Sequence, residues 1–214
     1  MNQEERIFAG IMFNPGDTQL RAIKKRSHDL SQEYSRTYEE EQEKRAEILQ
    51  ELLGEMGEGV FMQGPIFFHY GKHTKVGNWF FANYNLTVQD DAKVTIGDGV
   101  MFGPNVTIVT PVHPMVASER GCMYDENGNI NHLCYAKPVT IGNDVWLGAN
   151  VTVCGGVKIG NGCVIGAGSV VTRDIPDNCF AAGVPCKVIR EITDADSMRH
   201  HPEILEKCRL IEKE

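Results

Sequence analysis

The sequence predicts a solenoid of short parallel strands, a β-helix built from six-residue repeats, with charged helices at its start and one more at its end. Three observations predict it. Ile141, Leu147, Val153, Ile159, Ile165 and Val171 recur at every sixth position over six consecutive units. A small residue follows most of them, as Gly142, Gly148, Gly160 and Gly166 do. A second apolar or small series sits two residues earlier: Val145, Val151, Val157, Cys163 and Ser169. Neither a helical period of 3.6 nor a simple alternation explains this spacing. A period of six with a small residue at each corner marks a parallel β-helix, in which three units make one triangular coil of about eighteen residues. The aliphatics point inward and stack on those one coil away, and glycine relieves backbone crowding at the corners.

Residues 1–57 read as a charged helical cap. Asn14-Pro15-Gly16-Asp17 is a turn, and Asp17 is placed to cap a helix starting at Thr18. Thr37 with Glu40 fits a capping box for a second helix running to Met56. Ile48, Leu49, Leu52, Leu53 and Met56 form its apolar stripe, Gly54, Gly57 and Gly59 end it, and EEEQEKR reads as its solvated face.

Residues 58–190 read as the solenoid. Val76, Ala82 and Val88 are six apart, as are Ile96, Phe102 and Ile108. Two breaks interrupt the register. Val88 to Ile96 is eight residues, so Gln89–Lys93 should bulge from a corner. Ile108 to Ile141 is 33 residues, so a long loop over 109–138 leaves the coil. Long loops on a compact domain tend to carry function. This one opens IVTPVHPMVASER, with His113 held between Pro111 and Pro114. After Val171 the repeat dissolves. Thr172, Arg173, Lys187 and Arg190 make a basic segment in an acidic chain, and 191–214 reads as a charged terminal helix.

The totals narrow the classes. The chain has 214 residues, 42% of them apolar, and 21 basic against 29 acidic side chains give a net charge of −8. That fits one domain with a small appendage. It argues against nucleic acid or an anionic membrane surface as partner. The polar start MNQEERIFAG lacks the apolar region of a signal peptide, and no stretch is long and apolar enough to span a bilayer. Seven scattered cysteines without a CxxC pair predict free thiols in a reducing compartment, the cytoplasm, and no zinc framework.

Several segments resemble the maltose/galactoside O-acetyltransferases of the hexapeptide-repeat acyltransferase superfamily. They are FFANYNLTVQDDAKVTIGD (80–98), PNVTIVTPVHP (104–114), KPVTIGNDVWLGANVTV (137–153), IGAGSVVTRDIPDNCFAAGVPCKVIREI (165–192) and, in the cap, ERIFAGIMFNPGD. The cap favours the sugar branch over the antibiotic-acetylating branch, which usually lacks it. The resemblance implies a left-handed β-helix, an exception to the usual right-handed crossover. It also implies a homotrimer with active sites in the clefts between prisms, and acetyl transfer from acetyl-CoA to a sugar hydroxyl without a metal.

The resemblance implies the site residues too. His113 is the general base, a task for which an imidazole with an ordinary pKa near 6.5 is suited. The backbone N–H of Ala149 faces the oxyanion of the tetrahedral intermediate, and Trp146 lines the pantetheine channel or packs a corner. Asn83 lies between acceptor and CoA. Asp91, Asp17 and His69 contact the acceptor, although His69 stands where relatives carry a small polar residue. Ala167, Thr172, Arg173, Lys187 and Arg190 contact CoA, the last two at its 3′-phosphate. The loop departs from the pattern: DENGNINHLCYAKPV is longer, brings His132, and has Cys134 where glutamate is common. Three other readings compete. A zinc hydratase on the same solenoid needs three converging histidines, and the H-x₄-H pair is missing. A non-catalytic scaffold would need neither His113, Asn83 nor the basic segment. A transferase acting on a non-sugar acceptor is the serious rival.

Overall fold

The structure is a computed structural model that describes residues 1–206 and 208–209. The chain opens with α1 (Gln3–Phe8), α2 (Thr18–Tyr34) and α3 (Gln42–Leu52). Strands then follow coil by coil: β1 (Glu55–Met56), β2 (Phe61–Met62) and β3 (Ile66–Phe68); β4 (Thr74–Val76), β5 (Phe81–Ala82) and β6 (Leu86–Gln89); β7 (Val94–Ile96), β8 (Met101–Phe102) and β9 (Thr107–Val109). The loop contributes β10 (Pro111–Val112), α4 (Ala117–Gly121), β11 (Met123–Tyr124), β12 (Ile130–Asn131) and β13 (Tyr135–Ala136). The coils resume with β14 (Val139–Ile141), β15 (Trp146–Leu147), β16 (Thr152–Cys154), β17 (Lys158–Ile159), β18 (Val164–Ile165) and β19 (Val170–Val171), and end with β20 (Cys179–Ala182) and β21 (Lys187–Glu191).

Three parallel sheets form the faces of a prism of roughly six coils, which is the repeat architecture the period of six predicts. The first face stacks β1-β4-β7-β14-β17 and the second β2-β5-β8-β15-β18-β20, to which β21 adds antiparallel; the third stacks β3-β6-β9-β16-β19. Ile141, Leu147, Val153, Ile159, Ile165 and Val171 are all at most 1% exposed and share one core. The corners show why they carry small residues. A Cβ on Gly148 would sit 2.7 Å from the Ala167 nitrogen, and one on Gly103 2.7 Å from that of Ala149. At the corner between the second and third faces, Asn85, Asn105 and Asn150 adopt positive φ and hydrogen-bond in a ladder at 2.9 and 3.0 Å. Asparagine tolerates that conformation better than other non-glycine residues.

The structure differs from the sequence reading in four places. The eight-residue corner does not bulge outward. Val76 pairs with Ile96, twenty residues on, whereas Ile141 pairs with Ile159, eighteen on. The extra residues fold inward instead, leaving Asp90 and Asp91 buried. Ile7, Phe13 and Leu20 of the cap cover them, forming a second small core with Tyr70, Ala92, Cys134 and Ala136. Second, Thr37 does not cap α3. Its hydroxyl donates to the Tyr34 carbonyl and closes α2, and Tyr38 N–H donates to the Glu41 carboxylate. Helix α3 ends at Leu52, and Met56 belongs to β1.

Third, Arg45, in the supposed solvated face, is 4% exposed. Its guanidinium donates to the Met62 and Gln63 carbonyls at 2.6 and 2.8 Å and lies 4.7 Å from the Tyr34 ring centroid. It ties the cap to the first coil. Fourth, no single helix spans 191–214. Among the described residues there are 3₁₀ turns at Asp194–Asp196 and Met198–His200 and a short α5 (Pro202–Leu205). Strand β21 has already used the start of this segment to cover the last strand of the second face, which shields an otherwise open edge. The rest of the expected helix, 207 and 210–214, lies outside the described residues.

Candidate active site

Several of the residues singled out in the sequence lie along the two edges of the third face. One edge joins the second and third faces, and Asn83, Ala149 and Ala167 lie on it. Asn83 N–H donates to the Phe102 carbonyl, and its side-chain oxygen accepts from Tyr84 N–H at 2.9 Å. The glycines between these residues bring the backbone of each coil against the next. Among the described residues the Ala149 N–H has no hydrogen-bond acceptor. It is a free donor on a rigid corner, which is what stabilising a developing oxyanion requires.

The opposite edge, between the third face and the first, is built from side chains. Asp90 accepts from the Tyr70 N–H at 2.7 Å and the Thr74 hydroxyl at 2.8 Å. His73 Nδ1 lies 2.9 Å from the carbonyls of Asp90 and Asp91, and its Nε2 lies 2.9 Å from Glu4 of α1, which also pairs with Lys72 at 2.7 Å. Burial pushes the Asp90 carboxyl up despite those donors. Burial, then the charge of Asp90, pushes Asp91 up to about 6. One oxygen of Asp91 and the hydroxyl of Tyr70 are buried without a partner among the described residues. Burial, then Asp91, pushes the Cys134 thiol up to about 12.

His113 springs from this second edge. Thr110, fully buried, donates its hydroxyl to the Gln89 carbonyl at 2.8 Å and accepts from Ala92 N–H at 2.9 Å. The residue three before His113 is thus fastened to the corner that contains Asp91. Strand β10 then pairs antiparallel with β13, Val112 opposite Tyr135, and leaves the His113 ring exposed. The long loop packs against the cap. Phe13 and Cys134 exchange backbone hydrogen bonds at 2.8 and 3.2 Å, and Glu126 accepts from Gln3 at 3.0 Å. Cys134, which stands where the sequence reading expects a glutamate, packs into the second core. His132 lies 3.9 Å from the Cys122 sulfur instead.

Asp17 caps α2, its carboxylate accepting from Gln19 and Leu20 N–H at 2.9 and 3.2 Å. His69 sits at the second edge, half-buried, with burial and then Lys24 pushing it down to about 4. Thr172, Arg173 and Lys187 line one depression of about 300 Å³ with Pro185 and Cys186. Arg190 is elsewhere. It forks onto Asp196 at 2.6 and 2.7 Å, lies over Phe180, and lines a different hollow with Val164 and Ile192. Lys24 and His28 are residues the sequence did not mark: they sit on α2 with no motif, and only the packing of the cap on the prism brings them to His69. Among the described residues no three His, Cys, Asp or Glu side chains gather as a metal-binding group.

The outward rows of the faces differ. The first presents Glu55, Lys75, Thr95, Thr140 and Lys158 in register, whereas the second presents Phe61, Phe81, Met101, Trp146, Val164 and Phe180. Trp146 and Met101 are half exposed. An exposed apolar row of this kind is a surface that another protein or a ligand covers.

Fold and edges together define a β-helix transferase of the hexapeptide class. A family model described as "Bacterial transferase hexapeptide (six repeats)" matches residues 138–173, and "Maltose acetyltransferase hexapeptide capping motif" matches residues 6–57. The galactoside O-acetyltransferase of Escherichia coli (strain K12) is 43% identical over 92% of both chains. A solved galactoside acetyltransferase in complex with coenzyme A superposes with a TM-score of 0.83 at 43% identity, covering 92% of this chain and 94% of that one. A maltose O-acetyltransferase from Clostridium difficile 630 gives a TM-score of 0.83 at 39% identity over 90% and 98%. The chain belongs to the galactoside and maltose O-acetyltransferase family of hexapeptide-repeat transferases.

Proposed function

We propose that this enzyme transfers the acetyl group of acetyl-CoA to a sugar hydroxyl, with His113 as general base in a ternary complex. The observation that carries this is the Thr110 anchor, which fastens the loop bearing the imidazole to the corner holding the buried Asp91 carboxylate. His113 Nε2 or Nδ1 takes the hydroxyl proton as the sugar oxygen attacks the thioester carbon. The C–O bond forms, the carbonyl oxygen becomes an oxyanion, and Ala149 N–H donates to it. The intermediate then expels the CoA thiolate, the imidazolium returns the proton to that sulfur, and an acetyl ester and free CoA leave. Asp91, Asp17 and His69 hold the acceptor, and Asn83 stands between acceptor and thioester. Ala167 lines the pantetheine arm. Thr172 and Arg173 meet the adenosine phosphates, and Lys187 meets the 3′-phosphate from the same depression, with Arg190 reaching that phosphate from the separate hollow it lines.

The working form is a homotrimer. The corner with Ala149 and the corner with Asp91 lie on opposite edges of the third face; within one coil the corner residues Asn85 and Asp90 are five positions apart, about 16 Å at strand rise. An active site that uses both corners therefore closes between copies, His113 and Asp91 from one prism meeting Asn83 and Ala149 from the next. The apolar row of the second face supports such an association. Seven free cysteines fit a reducing compartment, the cytoplasm; no helix among the described residues is long and apolar enough to cross a membrane.

The test is release of free CoA thiol from acetyl-CoA with a panel of glucosides, galactosides and maltose. Turnover with a glycoside, reduced about 10²- to 10⁴-fold in His113→Ala, is the expected result. Intact CoA binding with no turnover of any sugar overturns the sugar assignment. A second reading, a non-sugar alcohol or amine acceptor, rests on His69, where a ring occupies the place of a small polar group. Amines in the same panel decide between the two.

A further inference from the structure

His69 is not alone on its edge. His28, on α2, puts its Nε2 3.3 Å from Nδ1 of His69. The ring centroids are 5.3 Å apart, and Phe67 packs beside both at 5.0 and 6.4 Å. Tyr70 meets His69 edge-on at 5.1 Å. The two imidazoles are half-buried between cap and prism. Burial, with the charge of Lys24, lowers His28 as it lowers His69, which favours the uncharged form of both rings. A hydrogen bond between neutral imidazoles needs an N–H on one side and a lone pair on the other. The nitrogen His69 does not use toward His28 then has the opposite character to the one it does use.

His69 itself stands on the row of the third face that leads to His113. Phe68 pairs with Val88, and Gln89 with Val109, so His69, Gln89 and Val109 form one outward row up the third face. Successive coils are about 4.8 Å apart. The row ends where Thr110 and β10 carry the chain to His113.

We propose that His28 is a positioning residue for acceptor binding: its Nε2–H donates to Nδ1 of His69 and so fixes His69 with Nε2–H as a donor to an acceptor hydroxyl oxygen. This arrangement keeps both rings in the tautomer free histidine favours. The inference rests on the acetyl-transfer reading above. It makes the cap, and not the prism alone, a determinant of which acceptor is taken. A change of residue 28 would alter specificity without touching the prism.

The experiment compares His28→Phe, His28→Ala and His28→Gln with the wild type, using acetyl-CoA and methyl β-galactoside or maltose, whichever the wild type turns over better. Phenylalanine keeps the ring packing but removes the donor, and glutamine returns an N–H at similar reach. KM for the acceptor should rise about tenfold, the size of one neutral hydrogen bond, in the Phe and Ala variants. It should stay near wild type in His28→Gln, with kcat and KM for acetyl-CoA unchanged in all three. Ring ¹⁵N shifts of His69 should report one tautomer in the wild type and a mixture in His28→Phe. A wild-type acceptor KM in His28→Phe, or a His28→Gln variant as weak as His28→Phe, overturns the inference. If the wild type acetylates no sugar, the sugar reading falls separately. The same KM comparison on the alcohol or amine that the panel does turn over then supports or overturns the role of His28.

Discussion

The two edges of the third face are built by different means. Along Asn83, Gly103, Ala149 and Ala167, the site is made of backbone brought close by the absence of side chains: a Cβ at Gly103 or Gly148 would strike the next coil at 2.7 Å. Along His69, Asp90, Asp91 and Thr110, it is made of polar side chains forced inside by a cap that arrives from the first twenty residues. The first edge follows from the repeat and is rigid for the same reason the solenoid is. The second is costly, with neighbouring carboxylates buried at one corner. Such a cost is retained where a ligand must be recognised, because a buried unpaired acceptor discriminates strongly among partners.

The largest expected effect tests whether the two edges work in different copies. His113→Ala and Asn83→Ala subunits, each expected to be nearly inactive by itself, are unfolded together, mixed and reassembled. If one cleft takes His113 from one copy and Asn83 from another, random mixing restores about a quarter of the clefts. If both residues come from one copy, every cleft carries a lesion and nothing returns. Recovered thiol release in the mixture, against unmixed controls, decides between these two outcomes.

The edges also differ in how legible they were. The period of six locates the coils and their corners, and two prolines mark His113 in the sequence itself. Asp17 was legible as a helix cap, because its turn and the helix after it are adjacent in sequence. The burial of Asp90 and Asp91 was not. Two aspartates at a corner of a repeat look like solvent-facing residues, and their burial depends on Ile7, Phe13 and Leu20, which lie 70 to 84 residues earlier. Arg45 failed for a related reason, since a charge in a charged run gives no sign that the carbonyls of Met62 and Gln63 await it. The Ala149 donor leaves no mark in a side chain at all. His28 is legible only once the cap is seated on the prism.

A smaller effect measures the cost of the side-chain edge. Asp91 titrates near 6 in the folded protein, above its ordinary value of 3.8. Between those values the folded state holds more proton than the unfolded one, so this group contributes stability at low pH that is lost as pH rises from about 4 to 6. Asp91→Asn removes the buried charge while keeping the shape. Above pH 6 the variant should be more stable than the wild type by about 1–3 kcal/mol, and it should lack this part of the wild-type decline. The same substitution should weaken acceptor binding. Denaturant midpoints at pH 4.5 and 7 check it; a variant less stable than wild type at pH 7 would show that the carboxylate finds a partner worth more than its burial costs.

The smallest effect separates the two cations of the basic segment. Lys187 lines the depression with Thr172 and Arg173, free to meet a phosphate. Arg190 is already committed: Asp196 takes both of its terminal nitrogens, and that pair holds the turn after β21. A phosphate reaching Arg190 must compete with a carboxylate in place, whereas at Lys187 it displaces only water. Both side chains are exposed, so solvent and salt screen each contact and its worth is small. Lys187→Ala should therefore raise KM for acetyl-CoA several-fold, and more than Arg190→Ala does. Using 3′-dephospho-CoA thioester as the donor sharpens the contrast, since it should erase whichever effect belongs to the 3′-phosphate. A larger loss at Arg190 than at Lys187, abolished by removing that phosphate, would mean that CoA binding breaks the Asp196 pair and that the C-terminal turn moves when the cofactor arrives.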